Sequence, residues 1–326
     1  MIFSLNRNQT FQCEYWVRLT VSPIDTGTLL LVGWRAEIGF KRGLIIVKWK
    51  IGNVTVTKVK EVELPGLRFL IPECVPENLE KLPWLAPHFV NEKWKPMASI
   101  HTLIVETMGQ KVLVDTCLGN DKQLAMEAWS NRTGPFLQDL SDAGHPRESI
   151  DKVLCTHLHP DHIGWNTMLK DDVWVPTFDN AQYIFGRVEW EHFSALEDET
   201  NKIMCEQSVQ PIVDADKHTL VETDYKISDE VWLEPTPGHT PGHVSVHIKS
   251  DGKEAVISGD CMHHPSQMAH PEWKCTFDND AAQAQATRRS FCGKYSGTPT
   301  LIIGTHFAGV TAGHIVADGD VWRFEA

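Results

Sequence analysis

The chain has 326 residues, 42% hydrophobic and 22% charged, the balance of a soluble globular protein with room for one large domain or two ordinary ones. A formal net charge of −13 argues against a nucleic-acid partner, because phosphate binding needs clustered Lys and Arg. The longest apolar run, Leu29 to Trp34, falls far short of the roughly 20 residues that span a bilayer, so no membrane partner is expected.

Met1 to Gly43 shows no sustained period and no signal-peptide layout, and residues 1–46 are read as an N-terminal extension. The codons of Lys41, Arg42 and Gly43 could spell a ribosome-binding sequence ahead of a GTG start at Val47; the genomic DNA decides between that and a true extension. The main domain is expected over 47–326, opening on a strand in which Val54 and Val56 alternate with Thr55 and Thr57. His101–Val105 and Lys111–Val114 read as a hairpin, and Phe136–Ala143 as a helix closed by Gly144. The apolar run Val153-Leu154-Cys155 is a strand, and Arg187–Leu196 a helix that should bury Val188, Trp190 and Phe193. Val244–Ile248 alternates as a strand, Ala255–Ile257 and Leu301–Ile303 read as buried strands, and Asp280 caps a helix over Ala281–Phe291. Mixed elements without a repeat imply a layered α/β domain. Two Pro-, Trp- or His-rich stretches, Val75–Met97 and Met262–Trp273, are expected to build a substrate pocket, partly apolar if Trp84 or Met268 lines it. The eight cysteines, at 13, 74, 117, 155, 205, 261, 275 and 292, form no Cys-x-x-Cys pair and suit reduced thiols in a cytoplasmic protein.

The strand at Val153 runs straight into Thr156-His-Leu-His-Pro-Asp-His162. His157, His159, Asp161 and His162 supply the imidazole nitrogens and carboxylate oxygen that zinc prefers, placed to face two ions. Downstream stand Pro237-Gly-His239-Thr-Pro-Gly-His243, then Asp260 and His306, the last two each just beyond an apolar strand. A ligand at a strand end sits on a rigid element, as a preorganised metal site requires.

This pattern resembles the metallo-β-lactamase superfamily, whose signature is His-x-His-x-Asp-His followed by a separate His, Asp and His. The resemblance implies a four-layer αββα sandwich with two divalent metal ions in the cleft between its sheets. His157, His159 and His239 would hold the first, Asp161, His162 and His306 the second, and Asp260 would bridge them. His243 would pack or hydrogen-bond nearby, and Asp115, in Leu113-Val-Asp-Thr116, would support the metal loop from behind. Val114–Asp121, His162–Asn166 and Asn180–Gly186 resemble the branch of methyl parathion hydrolase-like and N-acyl homoserine lactonase-like enzymes. Homoserine lactonases place a Tyr three positions after the bridging Asp, where this chain has His263.

Two such ions ionise a shared water, so the expected activity is that of a metal-dependent hydrolase in which a bridging hydroxide cleaves a lactone or a carboxylic or organophosphate ester. Asp161 would take a proton as well as ligate, and His263 would donate to the oxyanion. Zinc is the default, though manganese, iron or cobalt also suit His/Asp sites. Cys261, beside Asp260, is expected to be a neutral neighbour rather than a ligand. A β-lactam or thioester hydrolase, or a non-catalytic metal-binding protein, are the alternatives; a small-molecule substrate is common to the enzymatic readings, and the resemblance allows a homodimer.

Overall fold

The structure is a computed structural model that describes residues 26–31, 34–41 and 44–326. Its first six strands are antiparallel neighbours: β1 (Thr26–Leu31), β2 (Trp34–Lys41), β3 (Leu44–Ile51), β4 (Val54–Pro65), β5 (Met97–Thr107) and β6 (Gln110–Val114). β7 (Lys152–Leu154) follows, then a separate hairpin of β8 (Thr167–Lys170) and β9 (Val173–Pro176), then β10 (Gln182–Gly186) and β11 (His218–Val221). β1 to β7, β10 and β11 make a nine-stranded sheet in that order, parallel from β6 onward. The second sheet holds six strands in chain order: β12 (Val231–Pro235), β13 (Val244–Ser250), β14 (Lys253–Ile257), β15 (Leu301–Ile303), β16 (Ala312–Asp318) and β17 (Val321–Glu325). There β14 and β15 run parallel and the other pairs antiparallel.

Successive side chains of a strand face opposite ways, and here both faces are covered. Leu103 and Val105, Val112 and Val114, Ala255 and Ile257, and Leu301 and Ile303 meet in the core between the sheets. Their neighbours Ile104, Leu113 and Val153 turn outward against Phe136, Leu140, Phe193 and Ile212. Val256 and Ile302 likewise face Phe291 and Cys292, on the helix Ala281–Tyr295. Three apolar cores between four layers are the αββα sandwich expected from the sequence. The alternation read in Val244–Ile248 is real, yet Ser245 and His247 are buried too, because this strand is covered on both sides.

Several boundaries differ from expectation. Residue 47 falls inside β3, whose pairing with β2 starts at Leu44, and β1 and β2 extend the same sheet; residues 1–25, 32, 33, 42 and 43 of the expected extension lie outside those described. The helix Arg187–Ser194 buries Phe193 as expected and packs Trp190 partly, but Val188 is exposed and Glu189 is buried in its place. The capped helix runs to Tyr295, with the Asp280 carboxylate accepting from the N–H groups of Ala282 and Gln283. The two stretches expected to form a pocket mostly fill the third core, where Leu79, Leu85, Phe89, Met268 and Trp273 are buried with Trp84 packed against them, and only His263 of the second stretch lines the cavity described below. Among the described residues, no helix is long and apolar enough to cross a membrane.

Candidate metal centre

Internal strands of both sheets aim their chain ends at one place. β7 stops at Leu154, and the N–H and hydroxyl of Thr156 donate to the two carboxylate oxygens of Asp115 at 2.7 and 2.9 Å. The chain bends at Thr156 and His157 and reaches His159, which is extended, before Pro160 opens a one-turn helix, Pro160–Ile163, that carries Asp161 and His162. β14 delivers Asp260 and β15 delivers His306, three residues beyond each strand's end. His239 arrives on the turn before β13. Its predecessor Gly238 has φ +128°, and a side chain there would meet Ala284 N at 2.3 Å, so the turn needs glycine to seat itself on the helix Ala281–Tyr295.

All seven side chains expected at the centre converge around the buried carboxylate of Asp260. Its Oδ2 lies 3.7 Å from His157 Nε2, 3.5 Å from His239 Nε2 and 3.3 Å from His162 Nε2, and its Oδ1 lies 3.1 Å from His306 Nε2. His159 Nδ1 is 3.1 Å from His157 Nε2 and 2.9 Å from His239 Nε2. Asp161 reaches His306 Nε2 at 3.6 Å and His162 Nε2 at 3.8 Å. The donors fall into groups around His157, His159 and His239 on one side and Asp161, His162 and His306 on the other, with Asp260 between them.

The outward ring nitrogens fix the tautomers. His162 Nδ1 meets Asp115 Oδ2 at 2.9 Å, His239 Nδ1 meets Asp278 Oδ1 at 3.0 Å, and His306 Nδ1 meets the Ser99 carbonyl at 3.1 Å. Each of those partners only accepts, so each Nδ1 carries the hydrogen. Thr156 Oγ1 spends its hydrogen on Asp115 and accepts from His157 Nδ1 at 3.1 Å. Four Nε2 lone pairs therefore point inward at one another and at Asp260, whose Oδ1 is buried without a hydrogen-bond donor. Such an arrangement is repulsive unless cations or added protons fill it. Tetrahedral zinc with bonds of about 2.0–2.1 Å sets its donors about 3.4 Å apart, which these separations match.

Electrostatics divide the rings, since His162 and His239 are both raised and draw protons into this space where no cation balances Asp260. Burial, with repulsion from neighbouring imidazoles, holds His157 and His159 well below the ordinary histidine range. Burial would raise the Asp260 carboxyl, yet His162, His306 and His263 hold it well below the usual carboxylate range. Burial opposes protonation of His162 too, but Asp260 and Asp115 outweigh it and raise that group. His243, expected nearby, accepts the Asp260 backbone N–H at 2.7 Å and is pushed down to about 3 by burial. His263 Nε2 sits 3.1 Å from Asp260 Oδ2. Cys261 is buried, its thiol pushed up to about 12 by burial, and belongs to the third core.

Sequence reasoning missed four residues here. The Glu189 carboxylate accepts the N–H groups of Leu158 at 3.0 Å and Gly242 at 3.2 Å, joining the two histidine loops. Asp278 backs His239, and Arg288 Nη1 lies 3.3 Å from Asp278. Cys275 Sγ lies within 4.8 Å of ring nitrogens of His239 and His263; burial would raise its thiol, but those two imidazoles bring it down to about 6.

The centre forms the floor of a cavity of about 370 Å³, into which His159, Asp161, His239, Asp260 and His263 open. Phe69, Leu124, Trp129, Phe193, Met204 and Phe277 supply much of its wall, and no Lys or Arg is among the described residues lining it. Trp84 and Met268 are absent from it.

The family model of the metallo-beta-lactamase superfamily matches residues 98–291, well over half of the chain. The chain belongs to that superfamily. It is similar to the N-acyl homoserine lactonase AiiA of Bacillus thuringiensis subsp. kurstaki, 30% identical over 118 residues, which are 36% of this chain and 40% of that protein. The chain thus spans well under half the length of the curated relatives it matches. Among solved structures, the dizinc quorum-quenching lactonase AidC superposes with a TM-score of 0.70 at 20% identity, covering 86% of this chain and 96% of AidC. The hydrolase AbOPH gives 0.72 at 23% identity, covering 87% and 98%. Both share the superfamily's αββα fold with this chain.

Proposed function

We propose that this protein is a dinuclear metal-dependent hydrolase that opens the ring of a neutral lactone bearing an apolar acyl chain. The observation that carries the reading is the inward set of Nε2 lone pairs around Asp260 at the floor of an apolar cavity. His157, His159 and His239 would hold one cation, Asp161, His162 and His306 the other, and Asp260 both. Bound there, two divalent cations, zinc by default, would ionise a water and polarise the scissile carbonyl.

The chain's own groups do the rest. The aromatic and aliphatic walls bind the acyl chain and exclude water from it. Asp161, partly open to the cavity, is placed to take the proton of the added hydroxyl and hand it to the ring oxygen as that departs. His263, at the wall beside Asp260, is the proposed donor to the carbonyl oxygen. A wall without Lys or Arg offers no cationic side chain to a β-lactam carboxylate or a glutathione thioester, whereas neutral carboxylic and organophosphate esters would fit. The curated relatives named as N-acyl homoserine lactonases favour the lactone. A cytoplasmic location belongs to the same reading, supported by seven free cysteines among the described residues.

Elemental analysis of purified protein should find close to two cations per chain. Chelation should abolish hydrolysis of N-acyl homoserine lactones, and zinc or cobalt should restore it. Asp260→Asn should lower both metal content and kcat/KM, the latter by more than the about 100-fold that loss of a ligand's supporting partner costs. Full metal loading with no turnover of lactones, aryl esters or methyl parathion would favour the non-catalytic alternative.

A further inference from the structure

We propose that Asp278, held by Arg288, is the positioning residue of the first metal position, and that the protein gives each of its two positions one carboxylate-backed histidine. The inference rests on the metal reading above.

At the second position the pair is His162 with Asp115, the Asp of the strand-end motif. The first position has its counterpart in a different part of the chain. His239 Nδ1 meets Asp278 Oδ1 at 3.0 Å, and both side chains are buried. The other Asp278 oxygen accepts the Cys275 N–H at 2.9 Å and faces Arg288 Nη1 at 3.3 Å. Arg288 is itself buried, its Nε donating to the Pro271 carbonyl at 3.1 Å, so an otherwise uncompensated carboxylate is neutralised in place.

The backbone is docked in the same way. Asn279 N–H donates to the His239 carbonyl and Asp280 N–H to the Gly238 carbonyl, both at 2.9 Å. The turn carrying His239 and the segment carrying Asp278 are therefore one unit, joined by two main-chain hydrogen bonds and the imidazole–carboxylate bond. By contrast, His157 leans on a threonine hydroxyl and His306 on a backbone carbonyl, both neutral acceptors. A carboxylate fixes the ring more firmly and makes its free nitrogen a stronger donor, and loss of such a partner typically weakens metal binding about 10- to 100-fold.

The test is a zinc titration of the chelator-stripped full chain against a chromophoric competitor. Wild type should take two cations. Asp278→Asn should keep one wild-type affinity and weaken the other about 10- to 100-fold, and cobalt spectra at one and two equivalents should show that the altered position differs from the one altered by Asp115→Asn. An Asp278→Asn protein that binds both cations as wild type does, or weakens both equally, overturns the proposal. Should that variant fail to fold, the zinc-loaded wild type still decides. Nitrogen-15 spectra should show a solvent-protected Nδ1–H on His239, and its absence with both cations bound overturns the assignment. A wild-type chain that takes no cation refutes the metal reading itself.

Discussion

Glu189→Gln replaces a buried carboxylate with a group of nearly the same shape. In the native chain its two oxygens accept from Leu158 N–H at 3.0 Å and Gly242 N–H at 3.2 Å. Glutamine keeps one carbonyl oxygen but turns an NH₂ toward the other N–H, setting donor against donor. One hydrogen bond to a charged group is lost, worth about 1.5–3 kcal/mol, and the stranded buried N–H costs about 1–3 kcal/mol; the two overlap, so a loss of about 2–4 kcal/mol is expected. No close-packed alternative exists for Gly242, whose absent side chain would lie 2.2 Å from Glu189 N. Urea unfolding of the metal-stripped protein should show a lower midpoint at unchanged slope. Because Leu158 sits between His157 and His159, and Gly242 follows His239, zinc affinity at the first position should fall as well. A variant within about 0.5 kcal/mol of wild type, the range of an ordinary surface substitution, would refute the reasoning.

The cavity makes a prediction about substrate length: each methylene added to the acyl chain should raise kcat/KM by up to about fourfold, from about 0.8 kcal/mol per buried CH₂, until the cavity is full. A flat profile from butanoyl to decanoyl lactones would show that the chain does not bind there. Lys122 predicts a pH effect. Burial holds its amine down to about 6 against the ordinary 10.5, while Nζ donates to the Gln207 carbonyl at 2.7 Å. The unfolded chain binds more protons than the folded one between those values, so stability should rise with pH across that window, by at most about 1.4 kcal/mol per unit. Lys122→Met should flatten the profile between pH 6.5 and 9, and an unchanged slope in urea midpoints would count against it.

What could be read without coordinates divides along physical lines. Of the seven side chains at the centre, four are legible because they lie within six positions and two because they stand just past short apolar strands, while His239 is legible only through the family resemblance. The layers are legible because Ala255–Ile257 and Leu301–Ile303 are apolar on both faces, which only a doubly covered strand tolerates. Asp278 is not legible, since its part depends on a turn docking 39 residues away in sequence, and only the neighbouring cap Asp280 has a local signature. Glu189 hides because a helix judged by its apolar residues gives no reason to bury an acid; its value comes from two N–H groups on distant loops. The walls were misplaced for a similar reason. Leu82, Trp84, Leu85 and Met268 are apolar because they fill the space beneath the second sheet, and apolarity alone does not distinguish a core from a pocket.

The double covering of the strands also separates what this protein can change from what it cannot. A new polar side chain at Val112–Val114, Val153–Leu154, Ala255–Ile257 or Leu301–Ile303 would be forced into one packed layer or the other, just behind the residues proposed to hold the cations. Phe69, Leu196 and Phe277, by contrast, are partly in solvent at the rim of the cavity, where a substitution disturbs no layer. Altered preference for one acyl group over another should therefore accumulate in this outer ring while the chemistry beneath it stays as it is.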